Sequence, residues 1–65
     1  MKPKDLKHIL FGKVVVYEAL NAERTEFTDL YSGEFLHLPK ALENREVLVI
    51  SPKKIDNGTI EIEVR

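Results

Sequence analysis

Residues 46–65 constrain the fold more than any other stretch. They read Glu-Val-Leu-Val-Ile-Ser-Pro-Lys-Lys-Ile-Asp-Asn-Gly-Thr-Ile-Glu-Ile-Glu-Val-Arg. An unbroken aliphatic run (residues 47–50) meets a strictly alternating one (residues 59–65) across a loop ending in Asp56-Asn57-Gly58. An unbroken run belongs to a strand covered on both faces, and alternation to a strand with one wet face. Asn and Gly tolerate the positive φ that tight turns need. The stretch therefore predicts a β-hairpin. Its first strand is expected at the centre of the sheet, and its second is expected to carry a charged outer face.

The rest of the chain must supply cover for that hairpin, and there is little of it. The sequence has 65 residues, enough for a single domain over residues 1–65. A domain of this size buries only about 60% of the surface of its unfolded chain. With no cysteine, no disulfide framework is available. A structural zinc site would have to be built from two histidines and carboxylates. The expectation is a chain without cofactor or metal, held by packing alone or by packing plus oligomerisation. A hydrophobic fraction of 43% with mixed charges fits a folded domain rather than a disordered one.

Lys2 and Lys4 could begin a signal peptide, but the apolar stretch after them ends at Gly12-Lys13, too early for a hydrophobic region. No apolar run approaches the roughly 20 residues that span a bilayer. The expected location is cytoplasmic, with no membrane partner.

Residues 3–11 read as a short helix. Pro3 suits its first turn, Asp5 suits its positive end, and Gly12 can adopt the left-handed stop. Leu6, Ile9 and Leu10 form one apolar stripe. Residues 14–20, rich in β-branched side chains, are the first strand. A polar link at residues 21–24 leads to a second strand over residues 25–31. Ser32-Gly33 marks a turn, bulge or bend. Residues 34–38 then resume an extended pattern, as a third strand or as the continuation of the second. Pro39 opens one helical turn over residues 40–44, with Leu42 pointing inward. Short connections between neighbours imply antiparallel pairing. The expected class is α+β. A short N-terminal helix precedes a four- to five-stranded antiparallel sheet, open or closed into a small barrel, with one helical turn before the final hairpin.

Residues 14–16 and 47–50 both lack alternation, so both strands call for cover on two faces. One short helix and one turn offer little. The sheet can curl so that the helix caps one end, the helix can lie across one face, or a second chain can supply the missing layer.

Chemistry is sparse. His8 and His37 fall in different elements, and no third histidine or cysteine joins them. Glu61 and Glu63 lie two apart, so they share a face of the last strand. That spacing reads as a solvated outer face rather than an acid/base pair. Ser32 and Ser51 lack a nucleophile setting. Three glycines far apart leave no phosphate-cradling loop. Asn57-Gly58-Thr59 matches a glycosylation sequon, but it also matches the turn that the hairpin requires.

Charge is uneven. Residues 1–13 carry Lys2, Lys4, Lys7 and Lys13 against Asp5 alone, on a body that is net acidic. Lys4 and Lys7, with Lys53 and Lys54 in the hairpin loop, could contact phosphates. No aromatic residue is interleaved with them to stack on bases, and a solvated face is the commoner use of such lysines.

The segment Tyr31-Ser32-Gly33-Glu34-Phe35-Leu36-His37-Leu38-Pro39-Lys40-Ala41-Leu42-Glu43-Asn44-Arg45-Glu46-Val47-Leu48-Val49-Ile50 resembles small accessory proteins encoded by phages and prophages. The shared features are an extended segment with Gly, then Leu-Pro-x-x-Leu, then Arg-Glu-Val and an aliphatic strand. The resemblance covers about a third of the chain and carries no catalytic signature, so no functional residue transfers. An N-terminal helix before Gly12-Lys13-Val14-Val15-Val16 also looks like the opening of Sm-like small barrels. The RNA-contacting motifs of that family are not present, which leaves an analogy of fold alone.

Together these readings point to a small non-enzymatic accessory or binding module. It would act through contacts with a protein partner or with a second copy in a homodimer. The alternative is a nucleic-acid-binding module using Lys4, Lys7, Lys53 and Lys54. An enzyme would require a deep pocket holding His37 beside a carboxylate.

Overall fold

In a computed structural model of the protein, the described residues are 1–7, 10, 12–52 and 58–65. Four strands form a single sheet: β1 (Lys13–Ala19), β2 (Phe27–Glu34), β3 (Val47–Pro52) and β4 (Thr59–Val64). Three 3-10 turns accompany them, at Pro3–Leu6, Phe35–His37 and Lys40–Leu42.

The strand order is β2-β1-β4-β3. β1 and β2 are antiparallel, joined by the loop at residues 20–26. Residues 35–46 do not form a hairpin. They carry the chain across the sheet, so that β3 is laid down at the far edge. β4 then returns antiparallel to β3 and slots in beside β1, with which it is parallel. A parallel neighbour needs a connection of about a dozen residues or more, and the segment between β2 and β3 supplies that length.

The sheet is therefore mixed, which corrects the expectation of an all-antiparallel one. The inference from short connections failed at the one connection that is a crossover. The barrel alternative is also corrected, because β2 and β3 each have a single neighbour and the sheet is open. The α component shrinks as well. Among the described residues the only helical structure is 3-10. The expected helix over residues 3–11 is the four-residue turn Pro3–Leu6, with Ile9 and Phe11 outside the described residues. Two bonds spanning three residues tighten this turn: Asp5 N–H to Lys2 O at 2.9 Å, and Lys2 N–H to Asp5 Oδ2 at 3.0 Å. Residues 34–38 form neither a third strand nor a lengthened second one beyond Glu34, but the turn at Phe35–His37. The helical turn before the hairpin is present at Lys40–Leu42, and Leu42 is buried there.

The register sorts side chains onto two faces. Val14, Val16, Ile60, Ile62 and Val64 share one. Leu6, Phe35, Leu38 and Leu42, all from the N-terminal turn and the crossover, pack onto it and complete the core. Phe35 is 1% exposed, and burying a side chain of that size contributes roughly 1.5–3 kcal/mol. The covering layer is bonded in place. Lys4 N–H donates to Glu43 O at 3.2 Å, and Phe35 N–H donates to Gly12 O at 2.9 Å. The molecule measures 31 × 28 × 16 Å. That thickness is a sheet plus one layer, since packed layers lie about 10 Å apart. Of the three ways to cover the aliphatic strands, the chain itself realises a version of the second, with turns and crossover across one face.

The opposite face carries Val15, Tyr17, Asp29, Glu61 and Glu63. Two irregularities shape it. Leu30 is an extra residue in β2 opposite Val16 and Tyr17, and Leu48 is one in β3 opposite Glu63 and Val64. Gly33 sits at φ +151, and a Cβ there would come within 3.0 Å of the Tyr31 hydroxyl, which bonds to Glu34 O at 2.6 Å. Ser32-Gly33 thus lies inside β2 and lets Tyr31 fold back over it.

Candidate interaction surface

β3 is an edge strand, and this reverses the place expected for it. Its position follows from the crossover, which deposits β3 on the outside and leaves the centre to β1 and β4. Leu48, Val49 and Ile50 are 38%, 38% and 41% exposed, three consecutive aliphatic side chains on an open edge. Among the described residues, the N-terminal segment covers the start of that edge, where Val47 N–H donates to Met1 O at 2.8 Å and the Met1 amine lies 3.8 Å from Glu46 Oε1. No residue of β3 is charged. Natural edges are usually guarded by charges, bulges or proline. Here the guards are a bulge at Leu48 and the terminal Pro52. β2, the other edge, carries Asp29 and Glu34 and so has the charged guard that β3 lacks.

Beside β3 lies a groove of about 380 Å³ whose lining includes Leu48, Ala19, Ala22, Arg24, Glu63 and Arg65. Two ion pairs brace its surroundings. Arg24 grips Glu63 through both carboxylate oxygens, Nε to Oε2 at 2.8 Å and Nη2 to Oε1 at 2.6 Å. Arg45 bonds Glu18 through Nη2, and its Nε donates to Arg65 O at 3.2 Å. The loop before β2 aims Arg24. Asn21 Oδ1 accepts from Thr25 N–H at 3.0 Å and from Glu26 N–H at 3.3 Å, while Asn21 Nδ2 donates to Thr25 Oγ1 at 2.7 Å. Arg24 takes φ +58, a left-handed value that non-glycine residues seldom adopt.

Glu63 is 3% exposed, which corrects the reading of Glu61 and Glu63 as a solvated outer face. β4 is central rather than half wet, and Arg24 covers its second carboxylate. A carboxylate at that depth is tolerated in its charged form only when paired and hydrogen-bonded. Sequence reasoning missed Arg24 and Tyr17 as participants. The signal available for them was topological: a central β4 needs a cation for each buried glutamate, and the loop arginine is the one within reach.

A second, shallower groove of about 290 Å³ on the same face is lined by Val15, Tyr17, Phe27, Asp29 and Glu61. The Tyr17 and Phe27 rings meet edge to face, with centroids 5.4 Å apart and planes at 85°. Burial, followed by the charges of Glu63 and Glu61, raises the Tyr17 phenol above its ordinary pKa, and Arg24 offsets this only in part.

Of the four lysines that the nucleic-acid reading requires on one face, Lys4 and Lys7 fall among the described residues. Lys4 and Lys7 are exposed on and just after the N-terminal turn. Lys7 Nζ is engaged with Glu43 Oε1 at 2.6 Å. Lys53 and Lys54 lie outside the described residues, as do His8 and the Asp56-Asn57 part of the hairpin turn. His37 is exposed, and it lines neither groove. Among the described residues no group of three or more potential ligands could hold a metal ion, and no helix is long and apolar enough to cross a membrane.

Comparison of the chain with protein-family models, with curated proteins and with solved structures found no match in any of the three.

Proposed function

We propose that the protein is a small non-enzymatic accessory module that acts through protein–protein contacts made at the β3 edge. The observation that carries this reading is the run Leu48-Val49-Ile50, exposed and uncharged on an edge strand with one neighbour. An extended segment of another chain adds to such an edge through main-chain hydrogen bonds, and alternate side chains supply specificity. The added strand can come from a second copy, giving a homodimer, or from a different protein. A phage or prophage setting in the cytoplasm belongs to the same reading and rests on the resemblance of residues 31–50. The alternative is a nucleic-acid-binding module using Lys4, Lys7, Lys53 and Lys54; of its described lysines, Lys7 is engaged with Glu43.

The test substitutes Ile50→Lys. Position 50 is 41% exposed, so the change should cost about 1 kcal/mol, with urea denaturation checking that the variant folds, while a lysine on the edge opposes pairing. Sedimentation across concentrations reads self-association, and affinity capture from the host reads association with other proteins. Wild type is expected to associate in at least one assay, and Ile50→Lys to lose that association. A wild type that associates in neither, or a variant that associates equally well, overturns the reading.

A further inference from the structure

The β3 edge does not account for the groove at Tyr17 and Phe27. Its walls are Tyr17 and Phe27, set at a right angle, with the carboxylates of Asp29 and Glu61 on the same rim. Perpendicular aromatic faces next to carboxylates suit an organic cation, since the ring quadrupoles and the negative charges attract it together. The sheet already shows this chemistry one step away. Glu63, two residues on from Glu61 and on the same face, holds the Arg24 guanidinium through both oxygens. Glu61 and Asp29 have no ion-pair partner among the described residues. Both stand beside Tyr17: Asp29 is its register partner in β2, and Glu61 lies on β4 two residues before its partner there.

We propose that this groove receives a cationic side chain, arginine or lysine, from a bound protein. It would lie against the outer surface of the Tyr17–Phe27 pair, whose rings touch edge to face, with its charged head at Asp29 and Glu61. The Tyr17 phenol is raised first by burial and then by the charges of Glu63 and Glu61; of these, the Glu61 charge would also favour a cation in the groove. A flat neutral ligand would gain the rings alone and leave both carboxylates unmatched.

The inference rests on reading the chain as a protein-binding module, but it concerns a different surface from the β3 edge. Its test therefore uses a small probe and no partner. N-acetyl-arginine-methylamide is titrated into the wild-type protein and followed by NMR, with the neutral citrulline analogue as control. Saturable shifts are expected at Val15, Tyr17, Phe27, Asp29 and Glu61, with a dissociation constant on the order of millimolar. The citrulline analogue should bind far more weakly. Asp29→Asn and Glu61→Gln should each weaken the arginine probe roughly two- to five-fold, while Glu23→Gln, at an exposed position off the groove, should not. Ile50→Lys should bind the probe as wild type does, so failure at the edge and failure at the groove are separable. Equal binding of the citrulline analogue, or shifts spread over all surface carboxylates, would overturn the proposal.

Discussion

Glu63 and Arg24 are the pair on which the uncovered face turns. The carboxylate is buried, and the guanidinium, half exposed, reaches it as a fork. Removing the arginine strands the charge, whereas neutralising the glutamate leaves a group that needs less. Arg24→Ala should therefore destabilise the fold, and adding Glu63→Gln should recover part of the loss, which a double-mutant cycle in urea would measure. Arg24→Gly should cost less than Arg24→Ala, because glycine accepts φ +58 without strain. Glu43 gives a pH signature. The hydrogen bond from Lys7 holds its carboxyl below the usual value. A depressed carboxyl stabilises the fold above its unfolded pKa, and that share is lost as pH falls through the folded pKa. The urea midpoint should decline on acidification in wild type and decline less in Glu43→Gln. Tyr17 works in the opposite sense. Its phenol is raised, so its share is intact below the unfolded pKa and is lost as pH rises through the folded one.

At the scale of elements, the crossover at residues 35–46 decides the architecture. It places Phe35, Leu38 and Leu42 over the central strands and sends β3 to the edge. Phe35→Ala should cost about 3–5 kcal/mol, which is most of the stability of a domain this small. Leu36→Ala, at a position 74% exposed one residue later, should change stability by no more than about 0.5 kcal/mol. Chemical denaturation of the two variants checks the contrast. All four strands were legible in the sequence, because β-branched content and alternation report local geometry. So was the turn carrying Leu42. Strand order was not legible, because periodicity says which face of a strand is dry but not which strand lies beside it. The aliphatic run at residues 47–50 does not alternate, and that pattern points to a central strand. At an edge the same run marks exposed side chains on a bulged strand. Conversely, Thr59, Glu61 and Glu63 look like a wet face in sequence, and only the insertion of β4 beside β1 makes Thr59 and Glu63 buried.

For the whole molecule, a 16 Å slab with one covered face leaves two surfaces for other molecules: the β3 edge and the aromatic–acidic groove. The shortage of cover was visible in the sequence as aliphatic strands with too little chain to bury them. Its location was not, and the structure moves it from the sheet's centre to its rim. The central claim is that β3 is where this protein meets another chain. Site-specific photo-cross-linking tests it most directly, with a photoreactive residue at position 50 on β3 or at the exposed position 36 of the crossover, expressed in the host cell. Position 50 is expected to yield a discrete protein adduct, to a second copy or to one partner, and position 36 to yield none. No adduct at position 50, or equal adducts at both positions, would contradict the claim.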